Sequence, residues 1–322
     1  MGKKNYKASQ RQLVKIILFV FIITILNLGS SASGSPVVYK KNSTGKIYRV
    51  MARAYMAYGE YAKAMPLAEK ALGLAQKQKA GDEELANCLG DLSYIYLNLD
   101  RFADAEKFSR LSIELQKKFY YDRHPYVAYS LRNLAAIYQG QGRFADANDA
   151  MQEAFAIMLE SHPADAAVFA PFEVDYARLL VAEGKLQQAE QYYNKAMELI
   201  SQTYGEDHLY SAAVTANVAE LYTLQGRYSE AEPLVNKSQA LQERYYGREN
   251  HLIAPAYLTK AAICRAKGNT AESDSFIQMA RNSIQKTGND RAIEKLEQKI
   301  VSVRQVKADT SAPVVKLINS AS

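Results

Sequence analysis

Apolar and small residues recur along this chain at two spacings, one typical of an α-helix and one of about 42 residues. The short spacing is clearest after Gly184, where apolar residues lie three or four positions apart at Leu186, Ala189, Tyr193, Ala196, Met197 and Ile200. Such residues share one face of a helix. The long spacing is set by a turn residue that returns after 41 or 42 positions, at Gly59, Asp100, Gly142, Gly184, Gly226 and Gly268. The pattern therefore predicts an array of six helix pairs.

Each turn is flanked by residues of nearly constant size. A large residue usually stands four positions before it, at Tyr55, Tyr96, Tyr138, Leu180, Tyr222 and Cys264. A small residue stands five positions after it, at Ala64, Ala105, Ala147, Ala189, Ala231 and Ser273. Because a small side chain lets neighbouring helices approach, a larger one there should overpack the core.

The predicted helices alternate around these turns. First helices are expected near residues 45–58, 83–98, 125–140, 166–182, 209–225 and 252–266. Second helices are expected near residues 61–79, 102–119, 144–160, 186–203, 228–245 and 270–286.

The stretch from Asn133 to Ala147 resembles the tetratricopeptide repeat, in which large aromatic and small residues surround a turn between two helices. The period here exceeds the usual one of about 34 residues. His124-Pro125-Tyr126-Val127-Ala128, followed by Asn133-Leu134-Ala135, is similar to the repeats of kinesin light chain, as is Ala231-Glu232-Pro233-Leu234. The resemblance covers residues 45–287. It implies an all-α protein, an α-solenoid of six tetratricopeptide-like helix-turn-helix repeats.

Beyond the sixth repeat, residues 288–305 form another amphipathic segment, with Ile293, Leu296, Ile300 and Val303 on one side. We interpret it as a C-terminal capping helix, because a terminal repeat must cover the last apolar face of an array. Residues 306–322 are interpreted as a flexible tail.

The N-terminus has the order of a secretory signal peptide. Five basic residues are followed by the apolar run from Ile16 to Leu28 and by small residues up to Ala32. The run of 13 residues is too short to span a membrane comfortably, so cleavage after Ala32 is expected, with residues 33–44 as a linker. An uncleaved signal-anchor that holds residues 13–28 in the inner membrane is the alternative. The protein is thus expected to be periplasmic or secreted, or else membrane-anchored.

Removal of residues 1–32 also changes the charge. That segment has five basic and no acidic side chains, so the formal net charge falls from +6 to +1. The remaining chain has no dense basic stripe, which argues against a nucleic-acid partner.

Candidate catalytic chemistry is sparse. The Gly140-x-Gly142-x-x-Ala145 motif joins two predicted helices rather than a strand and a helix, so it does not fit a dinucleotide site. His124, His162, His208 and His251 precede first helices and lack neighbouring ligands at metal spacing. Cys88 and Cys264 are interpreted as packed residues. We therefore expect no enzyme activity, cofactor or metal.

The positions six, nine and ten residues before the turns are the most informative for binding. The resemblance implies that first helices line a concave groove, where asparagine and basic side chains hold peptide backbone and acidic groups. Burial at these positions would leave charges unpaired, so the side chains are expected to face a ligand. Together with Tyr129, the candidate peptide-binding residues are Arg49, Arg53, Asp91, Tyr94, Arg132, Asn133, Asp175, Arg178, Asn217 and Glu220.

These expectations together indicate an exported interaction module that binds a protein or peptide partner in its groove. A membrane-anchored structural scaffold of an envelope complex is the alternative. Contact with a membrane is expected only if the N-terminal segment is uncleaved.

Overall fold

A computed structural model describes residues 43–162, 166–248, 250–285 and 290–305, and this part of the chain is built from helices without strands. The predicted signal segment at 1–32, residues 33–42 of the linker and the tail at 306–322 lie outside the described residues. The described α-helices are α1 Ser43–Ala57, α2 Tyr61–Lys77, α3 Asp82–Asn98, α4 Phe102–Phe119, α5 Pro125–Gly140, α6 Phe144–Ser161, α7 Ala170–Ala182, α8 Leu186–Tyr204, α9 Leu209–Leu224, α10 Tyr228–Tyr246, α11 Ala254–Ala266, α12 Thr270–Ile284 and α13 Asp290–Gln305.

The helices pack as consecutive hairpins in two compact units that divide after Asp122. Unit 1 contains the hairpins α1–α2 and α3–α4. Unit 2 contains α5–α6, α7–α8, α9–α10 and α11–α12, followed by α13. The predicted all-α fold of six helix-turn-helix repeats and a terminal helix is confirmed.

The turn inside each hairpin has the same backbone geometry. All six predicted turn residues have positive φ, between 56° at Asp100 and 81° at Gly268. The amide one residue after the turn donates to the carbonyl four residues before it, as Arg143 N does to Tyr138 O at 2.9 Å. This bond closes a helix C-terminus around a left-handed residue. Glycine adopts that conformation without steric cost, and aspartate tolerates it better than most residues.

Small residues bring the two helices of each hairpin together. The side chains five positions after the turns, Ala64, Ala105, Ala147, Ala189, Ala231 and Ser273, are all fully buried. The prediction of close helix approach at these positions is confirmed. Substituting Ala147 by a larger residue would overpack this contact, at a cost of about 1–3 kcal/mol.

At three turns an arginine also covers the large residue of the repeat. Arg101, Arg143 and Arg227 each follow a turn residue and lie over the rings of Tyr96, Tyr138 and Tyr222, with 4.4, 4.2 and 3.8 Å from guanidinium carbon to ring centroid. Each arginine also pairs with an acid three residues later, such as Asp146 for Arg143. The tyrosines at this edge of the hairpins are therefore packed under a cation.

Two first helices begin later than predicted. A 3₁₀ turn at Ala166–Phe169 precedes α7, and another at His251–Ile253 precedes α11. Pro171 and Pro255 lie in the first turn of the following α-helices. Proline is well suited to that position because its φ is already helical and it needs no N–H partner in the first turn, so each α-helix begins one residue before its proline.

Helix α13 covers the end of unit 2. Leu296, Ile300 and Val303 are buried in one cluster with residues of α11 and α12. Arg281 of α12 pairs with Glu297 of α13 through two hydrogen bonds. The predicted capping role is thereby confirmed. Within the described ranges, no helix is both long enough and apolar enough to cross a membrane.

The turn geometry predicts opposite effects for two glycine substitutions. Gly142→Ala should lower the free energy of unfolding by about 1–2 kcal/mol, because φ is +73° there and a Cβ is strained in that region. Gly73→Ala, inside α2 with open space around the added Cβ, should raise it by up to about 1 kcal/mol. Urea unfolding followed by circular dichroism measures both. Equal effects of the two substitutions would contradict the assigned turn conformation.

Candidate functional site

The first helices of each unit lie side by side and bring the candidate positions together. In unit 1, α1 contacts α3. In unit 2, α5 contacts α7, α7 contacts α9, and α9 contacts α11. Residues at equivalent positions of successive first helices are therefore neighbours, and two clusters of charged side chains result.

The unit 1 cluster joins two arginines of α1 to two acids of α3. Arg53 Nε donates to both carboxylate oxygens of Asp91 at 3.0 Å, and its Nη2 is 2.9 Å from Oδ1. Arg49 Nη1 is 3.1 Å from a Glu84 carboxylate oxygen, and its Nε is 3.9 Å from Asp91. The cluster therefore contains equal numbers of positive and negative groups.

Asp91 is buried, which differs from the expectation that this position faces a ligand. Its side chain is only 8% exposed. Burial raises the pKa of the Asp91 carboxyl, and the hydrogen bonds and charge of Arg53 oppose that rise. The charges are thus buried without being unpaired, because arginines on α1 reach across to α3. Arg53 and Asp91 are 38 residues apart on different helices, so the residue pattern of either helix alone does not reveal this pairing.

Cys88 lies one helical turn before Asp91. It is a free, buried cysteine, and burial raises the pKa of its thiol to about 11. The thiol is therefore protonated at neutral pH and unreactive as a nucleophile. Cys264 is also free and buried, with a pKa raised to about 11 chiefly by burial, so both agree with the interpretation as packed residues.

The unit 2 cluster places two arginines beside one aspartate. Arg132 Nε of α5 is 3.3 Å from a carboxylate oxygen of Asp175 on α7, and Arg178 Nη1 is 3.4 Å from the other. The Arg132 guanidinium lies over Phe172 and Tyr129, at 5.2 and 5.5 Å from the ring centroids. Asp175 is 26% exposed and Arg178 is 56% exposed. This cluster is thus more open to solvent than that of unit 1.

A shallow depression lies next to the unit 2 cluster. It is lined by small, apolar and polar side chains: Ala135, Ala136, Gln139, Met151, Asp175, Arg178 and Leu179. Its volume is about 10 Å³, which corresponds to a single water molecule. A ligand would therefore lie across this surface rather than be enclosed by it.

The remaining candidates lie on the same helices with different surroundings. Tyr94 of α3 is half-buried and packs edge-on against Tyr61, with 6.0 Å between ring centroids. Asn133 of α5 and Asn217 of α9 are half-buried. Glu220 of α9 is 3.8 Å from Lys299 Nζ of the terminal helix. The structure thus brings together Arg49, Arg53 and Asp91 in unit 1, and Tyr129, Arg132, Asp175 and Arg178 in unit 2.

Two residues of these clusters were not predicted. Glu84 pairs with Arg49, and it lies seven residues before Asp91 on the same helix face. Phe172 supports Arg132, and it lies three residues before Asp175. A search for residues one or two helical turns before the candidate aspartates would have found both.

Two of the histidines, His124 and His208, lie at helix starts. His124 Nδ1 accepts a hydrogen bond from Tyr126 N, and His208 Nδ1 accepts one from Tyr210 N, each at 3.2 Å. They therefore cap α5 and α9, in agreement with the predicted helix-entry role. In the described part of the chain, no group of three His, Cys, Asp or Glu side chains could hold a metal ion.

Comparison with known protein families identifies the repeat type of this chain. The sequence pattern of MalT-like TPR regions matches residues 45–246, and that of the tetratricopeptide repeat matches residues 211–286. No curated protein matches the chain. The family matches confirm the predicted resemblance to tetratricopeptide repeats.

Two solved structures share the fold, and a third is similar at a lower TM-score. A Rap conjugation gene regulator of plasmid pLS20, in complex with a Phr peptide, has a TM-score of 0.63 and 18% identity, over 88% of this chain and 72% of that one. NprR in complex with its cognate peptide NprX has a TM-score of 0.65 and 12% identity, over 91% and 82%. The kinesin light chain-type repeats of a Podosopora anserina protein have a TM-score of 0.46 and 20% identity, over 65% and 99%.

The different burial of the two aspartates predicts different costs of removing them. Asp91→Ala should lower the free energy of unfolding by about 2–3 kcal/mol, because Arg53 loses its hydrogen bonds to a carboxylate that is only 8% exposed, although Arg49 keeps Glu84. Asp175 lies at the equivalent position but is 26% exposed, so Asp175→Ala should lower the free energy of unfolding by less than about 1 kcal/mol. Urea unfolding of both variants tests this difference, and equal costs would show that burial does not distinguish the clusters.

Proposed function

Since the chain belongs to the family of MalT-like tetratricopeptide regions, we propose that it is a protein-interaction module that binds a peptide segment of a partner across its first helices. The module has no catalytic chemistry of its own. The observation that carries this proposal is the pair Arg132 and Arg178, which two adjacent first helices place beside one aspartate and next to a small depression.

The chemistry of this surface suits an extended or helical peptide with acidic or carbonyl groups. Arginine presents five N–H donors in a planar fork, and its hydrogen bonds to charged acceptors contribute about 1.5–3 kcal/mol each. Asp175 and the rings under Arg132 restrict the positions of the guanidinium groups, which reduces the entropy lost on binding.

Two structures of similar fold support a peptide as the ligand class. The Rap regulator was solved with a Phr peptide and NprR with its cognate peptide. At 18% and 12% identity these proteins share the fold but few side chains with this chain, so its specificity must come from its own side chains. We assign that role to the unit 2 cluster, and a mainly structural one to the more buried unit 1 cluster.

Removal of both unit 2 arginines should abolish most of the affinity for a peptide ligand. Peptides are first selected from a random displayed library on the immobilised wild-type protein and then measured by calorimetry. Arg132→Ala combined with Arg178→Ala should weaken their binding at least about tenfold, since one or two charge-assisted hydrogen bonds are lost. The double variant should stay folded and lose about 1 kcal/mol or less in free energy of unfolding, because Arg178 is 56% exposed and Arg132, which is 20% exposed, loses only its ion pair to the partly exposed Asp175. Circular dichroism checks that the variant is folded.

A matched control removes two positive charges elsewhere in unit 2. Arg248→Ala combined with Lys267→Ala eliminates exposed ion pairs to Glu243 and Glu232, away from the first-helix cluster. This variant should keep wild-type affinity. If the selected peptides bind the Arg132 and Arg178 variant as tightly as the folded wild type, the peptide site lies on another face.

We also propose that the module acts outside the cytoplasm. The support is the order of basic, apolar and small residues in positions 1–32. N-terminal sequencing of the protein purified from its own host should find a mature chain that begins near Ser33. Recovery of membrane-bound protein that retains residues 2–28 would instead favour the anchored scaffold.

A further inference from the structure

Within the described ranges, the exposed aromatic side chains are confined to one kind of position. Six large aromatic residues in the described ranges are about half exposed: Phe119, Tyr121, Tyr126, Tyr204, Tyr210 and Tyr245. All of them lie where a second helix ends or where the next first helix begins. The tyrosines that precede the left-handed turns are instead buried or covered by arginine, as at Tyr96, Tyr138 and Tyr222.

Three rings form a compact cluster at the connection between α8 and α9. Tyr204 stacks on His208 with 4.8 Å between centroids and 20° between planes. Tyr210 lies edge-on to Tyr204 at 5.4 Å and tilted against His208 at 5.1 Å. The two tyrosines therefore present nearly perpendicular rings to solvent.

Hydrogen bonds between side chains and the backbone hold this cluster in place. His208 Nδ1 accepts from Tyr210 N at 3.2 Å, and Ser211 Oγ donates to Gly205 O at 2.6 Å. Gly205 ends α8 with a φ of 82°. The rings are therefore preorganised by the connection itself, which lowers the entropy cost of binding a partner.

The charge of the connection determines what the rings can bind. Two adjacent acids, Glu206 and Asp207, lie between the tyrosines in sequence, and both are exposed. Lys237 Nζ of α10 is 2.6 Å from a Glu206 carboxylate oxygen. The faces of aromatic rings attract cations, and carboxylates reinforce that attraction.

From this geometry we propose that Tyr204, Tyr210, Glu206 and Asp207 form a binding site for a lysine or arginine side chain of a partner protein. The ring faces contact the cation, and the acids neutralise it. Lys237 competes intramolecularly for Glu206. This site is separate from the arginine cluster, and its charge preference is opposite.

The chain contains a natural comparison for this site. His124 and Tyr126 repeat the same cap and ring pair at the start of α5, with 5.0 Å between centroids. The residue before that histidine is Arg123, which pairs with Glu160, whereas Asp207 precedes His208. The connection at α5 therefore has the same aromatic pair with one exposed acid, Asp122, and with an arginine in place of the second acid.

The test is fluorescence anisotropy of the full chain with a labelled eight-residue peptide of alternating glycine and lysine. A glycine–glutamate peptide is the comparison. The formal net charge is +6 for the full chain and +1 without residues 1–32, so overall charge does not favour the lysine peptide in either form. The lysine peptide should bind, and Tyr204→Ala combined with Tyr210→Ala should weaken it about fivefold. Tyr204→Phe combined with Tyr210→Phe should keep the affinity within about twofold, since both ring faces remain.

Further variants separate the site from a structural effect. Glu206→Gln combined with Asp207→Asn, which changes only exposed groups, should weaken the lysine peptide about threefold, and Lys237→Ala should strengthen it about twofold. Tyr126→Ala, and Arg132→Ala with Arg178→Ala, should bind it as the wild type does. The proposal is overturned if the acidic peptide binds as well as the lysine peptide to the Arg132→Ala with Arg178→Ala variant, which lacks the arginine cluster, or if the Gln and Asn variant keeps full affinity for the lysine peptide. Unchanged binding by a folded double alanine variant would also overturn it.

Discussion

The hydrogen bond that closes each left-handed turn is the constraint on which the rest of this structure depends. At all six turns the amide after the turn residue donates to the carbonyl four residues before the turn, at 2.8–3.0 Å. The first helix thereby stops at a defined residue, and the second begins in a fixed direction. Only with that direction set can the alanine or serine five residues later reach the partner helix and be buried completely. Repetition every 41 or 42 residues then places equivalent faces of successive first helices next to each other.

That repetition explains why the charged residues occur in clusters. An arginine on one first helix reaches the aspartate of the next, so each unit gains an ion-paired group at the same register. The two groups then differ in solvent access, because Asp91 is 8% exposed and Asp175 is 26% exposed. A buried pair mainly restricts the fold, whereas a partly exposed one can still contact a ligand.

The two edges of the hairpins also have different chemistry for a physical reason. At the turn edge, the residue after the turn is an arginine in three repeats, and it covers the tyrosine beside it. At the opposite connections, histidine caps such as His208 use their ring nitrogen on the backbone and leave the neighbouring tyrosine exposed. At the turn edge, cation–ring contacts within the chain therefore cover the tyrosines, whereas at the opposite edge the aromatic rings are exposed to solvent.

Much of this fold could be predicted from the sequence because it depends on interactions between residues that are close in the chain. The repeat period, the alternating helices, the positions of the turns and the small residues of the hairpin contact all follow from residue spacing, because each depends on neighbours within about one helix length. The starts of α7 and α11 required the actual backbone, since proline permits several ways to enter a helix. The burial of Asp91, the support of Arg132 by Phe172 and the cluster of Tyr204 with Tyr210 were decided only by tertiary structure. They depend on which side chains of different turns or helices meet, and on how much water each is left with.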